Sequence, residues 1–269
     1  LNSSSCLIGS GSSNCYNNYL RDFTGQHRVN FFNWLENLSV GGGTPLRQAM
    51  TRAGEFLKKT GVNGPYAYRP GTQTSPEYSC RGSYHILMTD GLWNNDSASV
   101  GNADSTSRSL PDGKSYSSQT PYRDAASNTL ADQAFHYWAT DARPDIDDNI
   151  KPYIPYPDQA NPSAEYWNPR NDPATWQHMV TYTLGLGLTT SLTSPKWEGS
   201  TYSGGYDEIA AGRLSWPNAS NNHSNNVYDL WHAAVNSRGE FFSADSPDQL
   251  VAAFQDILNR ISGKDLPAS

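Results

Sequence analysis

Apolar residues recur along this chain in two distinct periods, and their order sets the architecture. Phe31, Trp34, Leu35 and Leu38 fall at helical spacing, as do Leu46, Met50, Ala53 and Leu57, so two amphipathic helices are expected early in the chain. Thr44-Pro45 precedes the second, with Thr44 placed to cap it and Pro45 in its first turn. Tyr16 to Phe23 reads as a short extended segment. Tyr84-His85-Ile86-Leu87-Met88-Thr89 is nearly continuous in apolar character and stops at Asp90-Gly91, the pattern of a parallel strand buried on both faces. A second such run spans Met179 to Leu188. Between the two lies a long insertion with one helical stripe, Leu130, Ala134 and Trp138, inside Asp124 to Thr140. The chain closes with a helix at Leu230 to Val235, a short strand Glu240-Phe241-Phe242-Ser243, and a helix carrying Leu250, Phe254, Ile257, Leu258 and Ile261. Helices alternating with strands predict an α/β fold, a doubly wound, mostly parallel sheet with helices on both faces.

Ser97 to Thr120, Pro144 to Pro173 and Ser194 to Asn226 are rich in Pro, Gly, Asn and Ser and read as long surface loops, which are uncommon unless functional. The 269 residues suit one domain able to bury a sizeable core. A net charge of −7 and scattered basic residues argue against a nucleic-acid partner. No apolar run reaches the roughly 18 residues of a membrane span. Leu1-Asn2-Ser3-Ser4-Ser5 has neither the basic nor the apolar region of a signal peptide, which suggests a chain cut from a longer precursor. Cys6 and Cys15 are close enough to close a small disulfide loop, and Cys80 is expected as a buried thiol.

Enzyme signatures are missing. There is no Gly-x-Ser-x-Gly elbow and no His-Glu-x-x-His among His27, His85, His136, His178, His223 and His232. His85 and His178 read as hydrogen-bonded core residues. Gly41-Gly42-Gly43 lacks the Lys-Ser/Thr ending of a P-loop, and Gly185-Leu186-Gly187 lacks a third glycine and reads as a strand end. Asp145, Asp147 and Asp148, and likewise Asp96 with Asp104, are expected as solvated loop acids, since neither set has the spacing of a calcium loop.

In open parallel sheets ligands collect at the carboxyl ends of the strands, and Asp90 stands at such an end. With the Thr44 hydroxyl from the preceding glycine loop it offers oxygen ligands suited to a hard divalent cation. Gly42-Gly43-Thr44-Pro45-Leu46 followed by His85-Ile86-Leu87-Met88-Thr89-Asp90-Gly91-Leu92-Trp93-Asn94 resembles the second and third segments of the metal-ion-dependent adhesion site of a von Willebrand factor A domain. Asn30-Phe31-Phe32-Asn33-Trp34-Leu35, Tyr122-Arg123-Asp124, Asn128-Thr129-Leu130-Ala131-Asp132, Trp176-Gln177-His178-Met179, Asp229-Leu230-Trp231-His232-Ala233-Ala234-Val235-Asn236 and Gly239-Glu240-Phe241-Phe242-Ser243-Ala244 resemble the PilY-like type IV pilus proteins.

The resemblance implies a von Willebrand factor A-like domain over residues 1–263, with insertions at about 92–175 and 190–226 and a tail at 264–269. It implies adhesion and partner binding rather than catalysis. The cation would be magnesium, manganese or calcium. The partners would be minor pilins or other pilus tip components and a host or abiotic surface, and the location the pilus tip, outer membrane or periplasm in transit. One departure is large. The Asp-x-Ser-x-Ser segment that follows the first central strand is not recognisable, since Ile8-Gly9-Ser10-Gly11-Ser12 lacks the aspartate and Asn95-Asp96-Ser97-Ala98-Ser99 lies in the wrong part of the sheet. The first central strand is therefore expected to be absent from this chain, with Thr44 and Asp90 half of a split metal site. Two other readings remain: a structural or force-bearing module with a vestigial metal site, and a metal-assisted hydrolase at the Asp90 strand end.

Overall fold

The computed structural model describes residues 22–36 and 43–265. Three parallel strands form the main sheet, in the order β1 (Tyr84–Thr89), β4 (Val180–Leu186), β5 (Phe241–Ala244). Tyr84 pairs with Val180, Thr89 with Gly185, Thr183 with Phe241 and Leu186 with Ala244. β4 is central and buried along all but its last residue, as its unbroken apolar run requires. Gly187, at φ 70°, then turns the chain out of the sheet.

Both faces of the sheet are covered. On one side α2 (Leu46–Leu57), α3 (Leu130–Trp138) and α6 (Asn226–Asn236) pack Leu46, Met50, Leu130, Ala134, Leu230 and Val235 against Leu87 and Phe241. On the other, α7 (Pro247–Asp265) lays Ile257 and Ile261 on Tyr84, Ile86, Val180 and Tyr182. This is the mixed α/β arrangement that the alternating pattern predicts, with three strands in the main sheet among the described residues.

The insertion between β1 and β4 departs from a set of surface loops. It holds a short hairpin, β2 (Arg108–Ser109) with β3 (Ser115–Tyr116), then α3 and α4 (Pro162–Trp167). It also buries an aromatic core of its own, in which Tyr116, Tyr122, Phe135, Trp138, Tyr166 and Trp176 pack together. The third loop-like stretch carries α5 (Gly205–Ala210) and the buried Trp216. Pro, Gly and Asn there mark turns between packed aromatics, which supply the burial that regular elements supply elsewhere.

Several local expectations change. Pro45 is the residue before α2 rather than inside it, and the Thr44 side chain makes no capping bond. Cys80 is exposed, not buried. Cys6, Cys15, Leu38 and most of the extended segment at Tyr16 lie outside the described residues, and its last two residues, Asp22 and Phe23, are in no strand. α1 (Gly25–Glu36) forms as its spacing predicts but buries none of its residues, leaving Phe23, Val29, Phe32 and Leu35 exposed. Among the described residues no strand pairs with the outer edge of β1.

Candidate functional site

The carboxyl end of β1 holds the two residues singled out for metal binding. Thr89 is buried, and its Oγ1 accepts the Gly91 amide at 3.1 Å, which turns the chain so that Asp90 is exposed. The loop before α2 is stitched to the loop after β1: Thr44 donates its amide to Asn94 Oδ1 at 3.0 Å, and the Asn94 amide donates to the Thr44 carbonyl at 3.0 Å. A side chain on Gly43 would stand 2.6 Å from Asn94 Oδ1, so the glycine permits this approach. Thr44 and Asp90 are thus carried on two loops that are hydrogen-bonded to each other. They supply two oxygen donors, fewer than a magnesium or calcium site needs.

Asp96, expected in solvent, has a fully buried side chain. Its Oδ2 accepts the amides of Arg47 and Gln48 at 2.7 and 3.2 Å, and its Oδ1 accepts Arg47 Nε at 2.9 Å. Arg47 also lies over the Trp93 ring at 4.0 Å. Asp96 therefore supplies the cap that Thr44 does not, satisfying first-turn amides of α2 from a different loop.

A second polar assembly lies inside the molecule. α6 carries four buried polar residues, Asn226 at its start and then Asp229, His232 and Asn236, which share one helical face. Asp229 accepts the amides of Leu130 and Ala131 at the start of α3, at 2.9 and 3.0 Å. His232 lies between two carboxylates, with Nδ1 3.5 Å from Asp124 Oδ2 and Nε2 3.5 Å from Asp104 Oδ2. Asn236 Nδ2 donates to Asp104 Oδ2 at 2.8 Å. Asp132, which forms a capping box with Thr129, accepts the Ala103 amide at 2.6 Å beside Asp104. Asp104 is therefore fully buried, against its expected place in solvent.

Charge in this interior is strongly perturbed. Burial pushes Asp104 up to about 7, helped by Asp132 and Asp124 and opposed by His232. Asp132 is pushed up to about 6, again by burial first. Burial alone would lower His232, but Asp124 and Asp104 raise it to about 9. Asp104, Asp124 and His232 bring one ligand atom each within 4.8 Å of one another, so the cluster has the composition to hold a metal ion. No His-x-x-His spacing announces it; the signal was Asp229, His232 and Asn236 on one face of a largely apolar helix.

The other acids and histidines are structural. Asp145 pairs with the buried Arg143, which also reaches Glu77, while Asp147 and Asp148 are exposed. His178 is held between the Trp176 carbonyl and Asp172. His85 differs from expectation, since its Nδ1 is buried without a hydrogen-bond partner.

No protein-family profile matches the chain, and no solved structure matches it. Two curated relatives do. The type IV pilus biogenesis factor PilY1 of Pseudomonas aeruginosa strain PAO1 is 90% identical over 100% of this chain, which corresponds to 23% of that protein. The PilY1 of strain UCBPP-PA14 is 52% identical over 98% of the chain and 22% of its own length. The chain thus spans less than a quarter of the relatives that it matches. At these identities along its whole length, it belongs, as a segment, with the PilY1 type IV pilus biogenesis factors.

Proposed function

We propose that this chain is a pilus-associated binding module, the greater part of a von Willebrand factor A-type domain that serves pilus biogenesis and surface attachment. The observation that carries the reading is the 90% identity to a segment of a named pilus biogenesis factor. Its partners are minor pilins or other tip components and a host or abiotic surface, and its place is the outside of the cell, reached through the periplasm. Among the described residues no helix is long and apolar enough to cross a membrane.

Thr44 and Asp90 are, in this reading, two donors of a divalent-cation site at the end of β1. The remaining donors come from outside the described residues, on a strand added to the open edge of β1. Two features support that addition. β1 lies at the edge of the main sheet, and an edge strand presents unpaired backbone groups on which another strand can pair. Beside β1, a groove of about 690 Å³ runs between α2 and the strand, lined by Leu46, Ala53, Phe56, Ile86, Leu87 and Met88, and Met88 is 45% exposed.

Asp90→Ala in the complete parent protein tests the reading. Surface attachment is expected to fall about tenfold or more with the fold retained, as the loss of a metal-bridged contact requires. Unchanged attachment and piliation would instead favour a purely structural module.

A further inference from the structure

The buried cluster around His232 belongs to neither loop of the Thr44 and Asp90 site, and its geometry sets a problem of its own. His232 Nε2 lies 2.5 Å from the carbonyl oxygen of Tyr122. A carbonyl only accepts, so Nε2 carries a hydrogen, and Nδ1 is left to hold either a second proton or a metal ion. That Nδ1 is buried without a hydrogen-bond partner and faces Asp124 Oδ2 at 3.5 Å. A lone pair facing a carboxylate oxygen in a dry interior is repulsive unless a positive centre lies between them.

The spacing suits a metal centre. Ligands bound at about 2.0–2.2 Å in a tetrahedral site stand roughly 3.2–3.6 Å apart, and the imidazole and Asp124 already do. The surroundings hold the donors in place. The His232 ring is stacked on Trp216 at 4.6 Å, its Nε2 hydrogen is fixed by Tyr122, and Asp104 is oriented by Asn236. Such outer hydrogen bonds set the tautomer and direction of metal ligands. Asn236 is itself fully buried, and its Oδ1 has no hydrogen-bond partner.

We propose that Asp104, Asp124 and His232 form a buried site for a divalent transition metal of the zinc or manganese class, which ties the insertion to α6. One imidazole with two carboxylates favours that class over calcium or magnesium, whose ligands are oxygens and commonly waters. The three ligands come from well-separated parts of the sequence, Asp104 and Asp124 within the insertion and His232 on α6, so a shared ion would clamp elements that the chain joins only distantly.

The test is metal analysis of this chain, purified without chelator and then incubated with zinc or manganese and dialysed. About one equivalent is expected to remain bound, with the unfolding temperature lowered by chelator and restored by the metal. Asp124→Asn and His232→Gln are expected to cut retained metal at least about fivefold, whereas Asp148→Ala, at an exposed acid outside the cluster, leaves it unchanged. Should those variants fail to fold, X-ray absorption of the wild-type metal complex decides, with one imidazole and oxygen ligands expected. Failure to retain either metal, or ¹⁵N shifts showing both ring nitrogens of His232 protonated in protein exposed to excess zinc, would overturn the proposal in favour of an imidazolium held between two carboxylates. Loss of the Asp90-dependent attachment bears on the strand-end site alone, so the two readings fail separately.

Discussion

Trp93 Nε1 donates to Asp229 Oδ2 at 2.8 Å, and the same carboxylate accepts the amides of Leu130 and Ala131. One buried side chain on α6 thereby joins the loop after β1 to the amino end of α3. Thr129 Oγ1 accepts the next amide, that of Asp132, at 3.1 Å, so the first-turn donors of α3 are met from two directions. Burial pushes Asp229 up, and its three donors pull it back. The arrangement fixes the orientation of α6, and with it His232, against the insertion.

Asp229→Ala leaves three buried donors unmet and is expected to destabilise the chain by about 3–5 kcal/mol. Asp229→Asn keeps an acceptor and should cost roughly half as much. Urea unfolding followed by tryptophan fluorescence measures both; equal losses would show that the carboxylate has no special part.

Asp96 and Thr44, on the two loops at the strand end, should separate in stability. Asp96→Ala removes the acceptor of two α2 amides and the partner of Arg47, and about 2 kcal/mol of stability should go with it. Thr44→Ala deletes a side chain that makes no capping bond and should change stability by less than about 0.5 kcal/mol. A loss at Thr44 as large as that at Asp96 would contradict the observed cap.

His85 gives a pH dependence. Burial lowers it from 6.5 to about 4 in the folded chain, and Arg52 and Glu55 of α2, with Lys59 just beyond its end, line the same groove. The unfolded chain takes up its proton first as pH falls, so this contribution is fully present above about pH 6.5 and is lost as pH drops towards 4. Thermal unfolding of His85→Gln should show a shallower decline between about pH 7 and pH 5 than the wild type; parallel curves would assign the slope to other groups.

Gly239 marks a close approach of backbones. A Cβ at this position would lie 1.9 Å from the Thr181 carbonyl oxygen, beside the Ser237 hydroxyl that accepts the Thr181 amide. Gly239→Ala must therefore push the α6 to β5 turn off β4, at a cost of about 3 kcal/mol or more. Soluble yield and melting temperature are sufficient readouts, and a variant as stable as wild type would place the turn elsewhere.

The periodicities determined the regular elements. Unbroken apolar runs define β1 and β4, because a strand covered on both faces has no polar side to show, and stripes at helical spacing define α2, α3, α6 and α7. Asp90 was legible at its strand end for the same reason. The sequence also carried the family, in motifs such as Asp229 to Asn236. Only the tertiary structure decided which polar residues are buried. Asp96, Asp104 and Asp229 look alike in a string of letters, yet one caps α2, one faces His232 and one caps α3. Each acquires its role from amides or rings distant in sequence, because a buried carboxylate is tolerated only where the fold brings donors to it. Cys80 failed for the converse reason: exposure is set by what packs over a residue, which local pattern does not record.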